Sequence, residues 1–319
     1  GTLRLSTMVE LSREHGISLP GTAQLRPLVQ VQADEAYTFR NFLSKFSTLR
    51  LFYRSPEIIQ RVTREAVEDA AADNIRYLEL RFTPVALARV QNYPMGEVMD
   101  WVCAAAREAE AQTGVTVRLL ASFNRHEPVE LAEEVVKLAV DRRDMGIVGV
   151  DISGNEAEFS ALPFVGVLRE AQQAGLPAAI HAGEWGGAEN VREAILDLNA
   201  GRIGHGVRVL EDPVVTALAR ERAVPFEVCL TSNVQSGVVS DLSHHPLKRM
   251  MAAGLNVTIN TDDPCISQIC LSDEYRLAMD ELGIDLSVLQ MRILAAARAS
   301  FLPEPARDLL AERLRAEFS

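Results

Sequence analysis

Leu176-Pro177-Ala178-Ala179-Ile180-His181-Ala182-Gly183-Glu184 is an apolar run that stops on an imidazole, turns at a glycine and delivers a carboxylate three residues later. It reads as a buried strand with its polar groups gathered at the C-terminal end. The pattern recurs where Arg202-Ile203 leads into Gly204-His205-Gly206, and where 255–259 leads into Asn260-Thr261-Asp262-Asp263-Pro264. Candidate strands lie at 75–82, 115–121, 147–152, 177–181, 202–205, 225–229 and 256–260, seven in all.

The intervening stretches read as helices. Ser55-Pro56 supplies an N-cap and a first-turn proline, and Ile58, Ile59, Val62, Ala66 and Ala70 then make one apolar face. Gly114, Gly146 and Gly175 each follow a helical pattern, where a left-handed residue commonly ends a helix. From Asp273 onward the pattern is helical only. Alternating strands and helices imply parallel βαβ units. An open doubly wound sheet calls for a glycine-rich phosphate loop after an early strand, and none is present. Polar residues instead stand at strand ends repeatedly: Arg81, 124–126, 151–156, His181, His205, 231–233 and Asp262. That is how a (β/α)8 barrel presents its chemistry. The expectation is one barrel domain over 1–319, with one strand unaccounted for and extra helices near both ends.

A net charge of −12 with no basic run argues against a nucleic-acid surface. The acidic residues, among them Glu65, Glu68 and Asp69, read as solvated helix faces. Four cysteines without a regular framework read as reduced, mostly buried thiols. No stretch approaches the roughly 18 apolar residues that span a bilayer, so a cytoplasmic protein is expected.

Six histidines are few enough to judge singly. His15 closes a polar helix and faces solvent. His244 and His245 precede Pro246 at a helix start and read as structural, while His126 ends a strand and could orient a site. His181 and His205 end apolar strands beside glycine. With Asp262 they suit a metal or acid–base site, since zinc accepts imidazole nitrogen and carboxylate oxygen and turns water into a nucleophile. Glu184 could then deliver a proton, and the adjacent Asp262 and Asp263 must divide their roles. Phe39, Phe42, Leu43 and Phe46 fall at i, i+3, i+4 and i+7, which by pattern alone is a core stripe.

His181-Ala182-Gly183-Glu184, Gly204-His205-Gly206, Thr231-Ser232-Asn233-Val234-Gln235-Ser236 and Asn260-Thr261-Asp262-Asp263-Pro264, in this order and spacing, resemble the adenosine deaminase branch of the amidohydrolase barrels. Supporting matches are 76–84, 151–156, His245-Pro246-Leu247 and Ser300-Phe301-Leu302-Pro303, so the resemblance spans nearly the whole chain. It implies one zinc ion per chain, with His181 as a ligand and Asp262 as a ligand that also bonds the attacking water. His205 would orient and deprotonate that water and stabilise the charge on its oxygen. Glu184 would protonate purine N1, Asp263 would bond N7, and the Gly154 N–H would reach N3. The stripe Phe39, Phe42, Leu43 and Phe46 would become a lid over the ribose side. Thr231-Ser232-Asn233 resembles the nucleoside-acting members, which implies adenosine or deoxyadenosine as substrate.

One departure stands against this. The family begins with a strand ending His-x-His, which supplies two more zinc ligands, and Gly1-Thr2-Leu3-Arg4-Leu5 resembles the segment just after it. That strand is expected ahead of Gly1. Two alternatives remain: a deaminase of adenine or another 6-aminopurine nucleoside, and a catalytically dead nucleoside-binding protein.

Overall fold

The computed structural model describes residues 1–17 and 21–318. Its centre is a parallel sheet in which every strand lies beside its neighbour in sequence. The strands are β1 (Tyr77–Phe82), β2 (Thr116–Asn124), β3 (Ile147–Ser153), β4 (Ala178–Ala182), β5 (Arg202–His205), β6 (Pro225–Val228) and β7 (Asn256–Ile259). These are the seven runs read from the sequence, most of them shifted by a residue or two. Sequential parallel strands with a helix between each pair form an α/β fold of the TIM-barrel type.

Helices form where the capping signals stand. Ser55 accepts a hydrogen bond from the Ile58 N–H at the start of Pro56–Ala72, a cap worth about 1 kcal/mol. Gly114 ends Met95–Thr113 in the left-handed region at φ 75°. The helices Leu5–Glu14, Thr22–Val29 and Phe39–Leu49 precede β1, and Leu271–Asp280, Leu286–Ala299 and Glu304–Glu317 follow β7. The leading helices build a small apolar cluster of their own, with Leu3, Met8, Leu11, Phe42 and Phe52 packed on Ile266. Glu65 departs from expectation. It is buried and accepts from Thr7 Oγ1 at 2.7 Å and Arg61 Nε at 2.8 Å, so it ties two helices together rather than meeting water. Among the described residues no helix is long and apolar enough to cross a membrane.

Phe301 closes one end of the sheet. A Cβ on Gly149 would lie 2.5 Å from its ring, and one on Gly201 3.0 Å, so only glycine leaves it room. The Arg202 guanidinium covers the ring at 3.7 Å, and the Phe301 N–H donates to Glu79 Oε1 at 2.6 Å. The sheet interior above it is ionic. Glu79 pairs with Arg202, Arg202 with Glu227 at 2.6 Å, Glu227 with Arg81 at 2.8 Å, and Arg81 with Asp151 at 3.3 Å. Charges so deeply placed persist because each has a partner.

The sheet does not close on itself. Among the described residues β1 pairs with β2 alone and β7 with β6 alone. Every residue of β1 is only half-buried, whereas β3 is buried along most of its length. A seam between β1 and β7 opens into a cavity of about 1170 Å³.

Candidate active site

The strand ends converge on that cavity. His181 lies near the end of β4, Glu184 just beyond it, His205 at the end of β5, and Asp262 and Asp263 after β7; all five line it, as does Gly154 after β3. His205 and Asp262 hold left-handed backbone angles, φ 58° and 59°, which non-glycine residues rarely adopt. Both stand at or just beyond the C-terminal end of a strand, and residues held in such sparsely populated angles commonly store strain at a site. Gly206, at φ 65°, follows His205, and a Cβ there would strike the Phe226 ring at 2.3 Å. His205 Nε2 stands 3.6 Å from Glu184 Oε2 and 4.0 Å from Asp262 Oδ2, and the two imidazoles are 5.2 Å apart.

Their surroundings push these groups in opposite directions. Burial raises the Glu184 carboxyl well above the usual range, helped by Asp262 and Glu156, which favours the form that carries a proton. Burial, with His181 and Arg81 adding to it, lowers His205 to about 3, so this ring is neutral. Burial and Asp262 raise Asp263 to about 6. A protonated acid beside a neutral imidazole is an arrangement for moving one proton in each direction.

Several residues of the site were visible as polar strand ends but carried no assigned role. Asp151, fully buried, accepts from Ser122 Oγ at 2.7 Å and lies 3.1 Å from His181 Nδ1. Burial alone would raise its carboxyl, but Arg81 and His181 hold it below the ordinary value. Glu156 clamps the segment after β4. It accepts from the N–H groups of Gly183 at 2.9 Å, Glu184, and Trp185 at 2.7 Å, and from Asn190 Nδ2 at 3.0 Å. Ser232 donates to Asp262 Oδ2 at 2.7 Å. Asn233 and His245 are buried together, Asn233 3.1 Å from His205 Nδ1 and 3.3 Å from His245 Nε2. His245 is therefore part of the site's support, not merely of a helix start, while His244 is exposed and lies 2.8 Å from Asp241 Oδ1. No periodicity marks such a residue, because its role exists only once two distant loops meet.

The aromatic stripe divides. Phe42, Leu43 and Phe46 line the cavity, and Phe42 also packs into the leading cluster, so it belongs to both wall and core. Phe39 is not on the cavity wall. It meets Trp185, one residue past Glu184, at 5.3 Å between ring centroids. His126 lies on the cavity lining and is partly exposed. His15 ends its helix in solvent.

Among the described residues no three metal-capable side chains form a cluster. His181 and Asp262 nevertheless suit half of a metal shell. The carboxylate of Asp151 faces His181 Nδ1, which leaves Nε2 for a ligand, and Ser232 holds Asp262.

The sequence model of a family described as adenosine deaminase matches residues 1–317. An adenosine deaminase of Erwinia tasmaniensis is 37% identical over 320 residues, covering 99% of this chain and 95% of the relative. The adenine deaminase of Arthrobacter aurescens superposes with a TM-score of 0.90 at 27% identity, over 99% of this chain and 95% of that one. An N6-methyl-AMP deaminase of Arabidopsis thaliana gives a TM-score of 0.86 at 29% identity, over 99% and 93%.

Proposed function

The chain belongs to the adenosine deaminase family, and from its site we propose that it converts adenosine and 2′-deoxyadenosine to the inosine products and ammonia, with zinc as cofactor. It is a hydrolase of the purine-deaminating class. The observation that carries the finer reading is the grouping of Glu184 and Asp262 at 3.6 and 4.0 Å from His205 Nε2, where burial raises the Glu184 carboxyl and lowers the His205 imidazole.

His181 and Asp262 would hold the metal together with ligands beyond these two. When bound, zinc supplies the Lewis acidity that brings the pKa of water toward neutrality. Asp262 and His205 hold the attacking water between them, and its proton leaves to this pair. Glu184 gives its proton to purine N1, which draws electrons from C6. The water oxygen adds to C6, the amino group takes the proton that the pair received and leaves as ammonia when the C6–N bond breaks, and the proton remaining on the new oxygen returns to Glu184 as the C6 carbonyl forms. Asp263 bonds N7, and the Gly154 N–H bonds N3. Phe42, Leu43 and Phe46 cover the ribose side, with Phe39 bracing that helix through Trp185.

The test is ammonia release from adenosine with zinc, for this chain alone and with a strand ending His-x-His joined ahead of Gly1. Turnover with the added strand, and little without it, supports the reading and makes the β1/β7 seam that strand's place. Silence in both favours the non-catalytic nucleoside binder. The fold likeness to an adenine deaminase supports a second reading, and adenine competing with adenosine as the better substrate would establish it.

A further inference from the structure

His205 has two ring nitrogens, and which of them carries the proton decides what the ring offers to the reaction. Its Nε2 faces Glu184 and Asp262, and its Nδ1 faces Asn233. The answer can be traced from a group that has no choice. The backbone N–H of Leu247 can only donate, and it points at His245 Nδ1 at 3.2 Å. His245 Nδ1 is therefore an acceptor, and the proton of this ring lies on Nε2.

The rest follows in order. His245 Nε2–H faces Asn233 Oδ1 at 3.3 Å and donates to it. That contact orients the amide, so its NH2 group is the end that faces His205 Nδ1 at 3.1 Å and donates there. With its Nδ1 lone pair occupied, the neutral His205 carries its proton on Nε2. Asn233 is fully buried and His245 only 5% exposed, so water does not compete readily for these contacts.

We propose that His245 and Asn233 are positioning residues that fix His205 as its Nε2–H tautomer, so that the ring meets the reacting oxygen as a donor. For what His205 does, this rests on the deaminase reading, and it sharpens it. A ring already protonated on Nε2 cannot take the proton of water there, so that proton passes to Asp262. The His205 N–H instead stabilises the negative charge that grows on oxygen.

The measurement is a two-bond nitrogen–proton correlation spectrum of the chain labelled with 15N at its six histidines, with His205 assigned by its loss in H205Q. Wild type is expected to show His205 protonated on Nε2 and bare on Nδ1. A proton on Nδ1 in the wild-type spectrum overturns the proposal. N233D, which puts an acceptor opposite Nδ1, should move the proton to Nδ1. H245F should lose the single tautomer and, in the form carrying the added His-x-His strand, lower kcat about 10- to 100-fold, with KM changed by less than about threefold. H245Q, which keeps an N–H near the Nε2 position, should recover most of that loss. If H245F and H245Q both keep the wild-type tautomer, His245 is packing alone and the relay is wrong. If the expected tautomer is seen yet no purine is deaminated even with the added His-x-His strand, the relay stands and the deaminase reading falls.

Discussion

The β3-to-β6 side of the sheet and the β7-to-β1 seam are made from similar sequence, yet they end in different states. Ile147–Ser153 and Tyr77–Phe82 are both β-rich runs with a charge or two, but β3 is buried and β1 is half-exposed throughout. On the first side each strand has two neighbours, and an inward-turned charge meets side chains from other strands. Asp151 has Ser122, Arg81 and His181. On the second side the strand edges border a cavity. The difference teaches that burial here belongs to neighbours and not to the strand's own composition.

Several measurements can overturn or refine this contrast. The largest effect is expected for Glu184→Gln, which should lower kcat by about 10²- to 10⁴-fold while leaving the metal bound and Tm nearly unchanged. Because the Glu184 pKa is raised, wild-type activity should also fall as pH rises through it, as the proton to be donated is lost. Next, Ile152→Ala in the fully buried strand should cost about 2–5 kcal/mol by denaturant unfolding. Leu80→Ala in half-exposed β1 should cost distinctly less, since less contact is removed. Equal costs would mean that the seam is covered in solution, and the contrast would fail.

Asp151→Asn should weaken zinc affinity about 10- to 100-fold by calorimetry, since it disturbs the group that orients His181. Unchanged affinity would separate the buried ion chain from the metal. A subtler effect concerns Glu227. Burial raises its pKa, but Arg81 and Arg202 outweigh burial and hold it at about 2, against 4.5 for the free group. The stabilisation this shift confers is present above about pH 4.5 and is lost as pH falls toward about 2. Glu227→Gln should therefore be less stable than wild type at pH 7, with the gap in Tm narrowing on acidification. Smallest, Phe39→Ala should raise KM for the nucleoside a few-fold with little change in kcat, since it loosens the helix behind Trp185 without touching the reacting groups.

Much of this was legible in the chain itself. Strands announced themselves because parallel strands are continuous apolar runs, and their ends because imidazole and carboxylate interrupt those runs at His181, His205 and Asp262. What stayed hidden depends on tertiary placement. Glu65 has the pattern of a solvated helix face and is buried only because another helix packs across it. Glu156 sits in a loop, and its clamp on Gly183, Glu184 and Trp185 spans 27 to 29 positions. Phe39 shares the helical phase of Phe42, but the helix's approach to the cavity leaves it on Trp185 instead of the wall. His245 read as structural because nothing local connects it with a ring 40 positions earlier.

Phe301 has a consequence for how the molecule is made. Its ring settles between Gly149 and Gly201, its amide reaches Glu79, and Arg202 lies over it. Those partners precede it by about 100 to more than 200 positions, and contacts of such separation form slowly and late. During synthesis, β1 to β7 emerge before the residue that seals their floor, so the sheet must wait with its ionic interior open at that end. The segment that carries Phe301 thus acts as a keystone in time as well as in space. A ribosome stalled before it should hold a sheet that binds chaperones, and release past residue 301 should set it free.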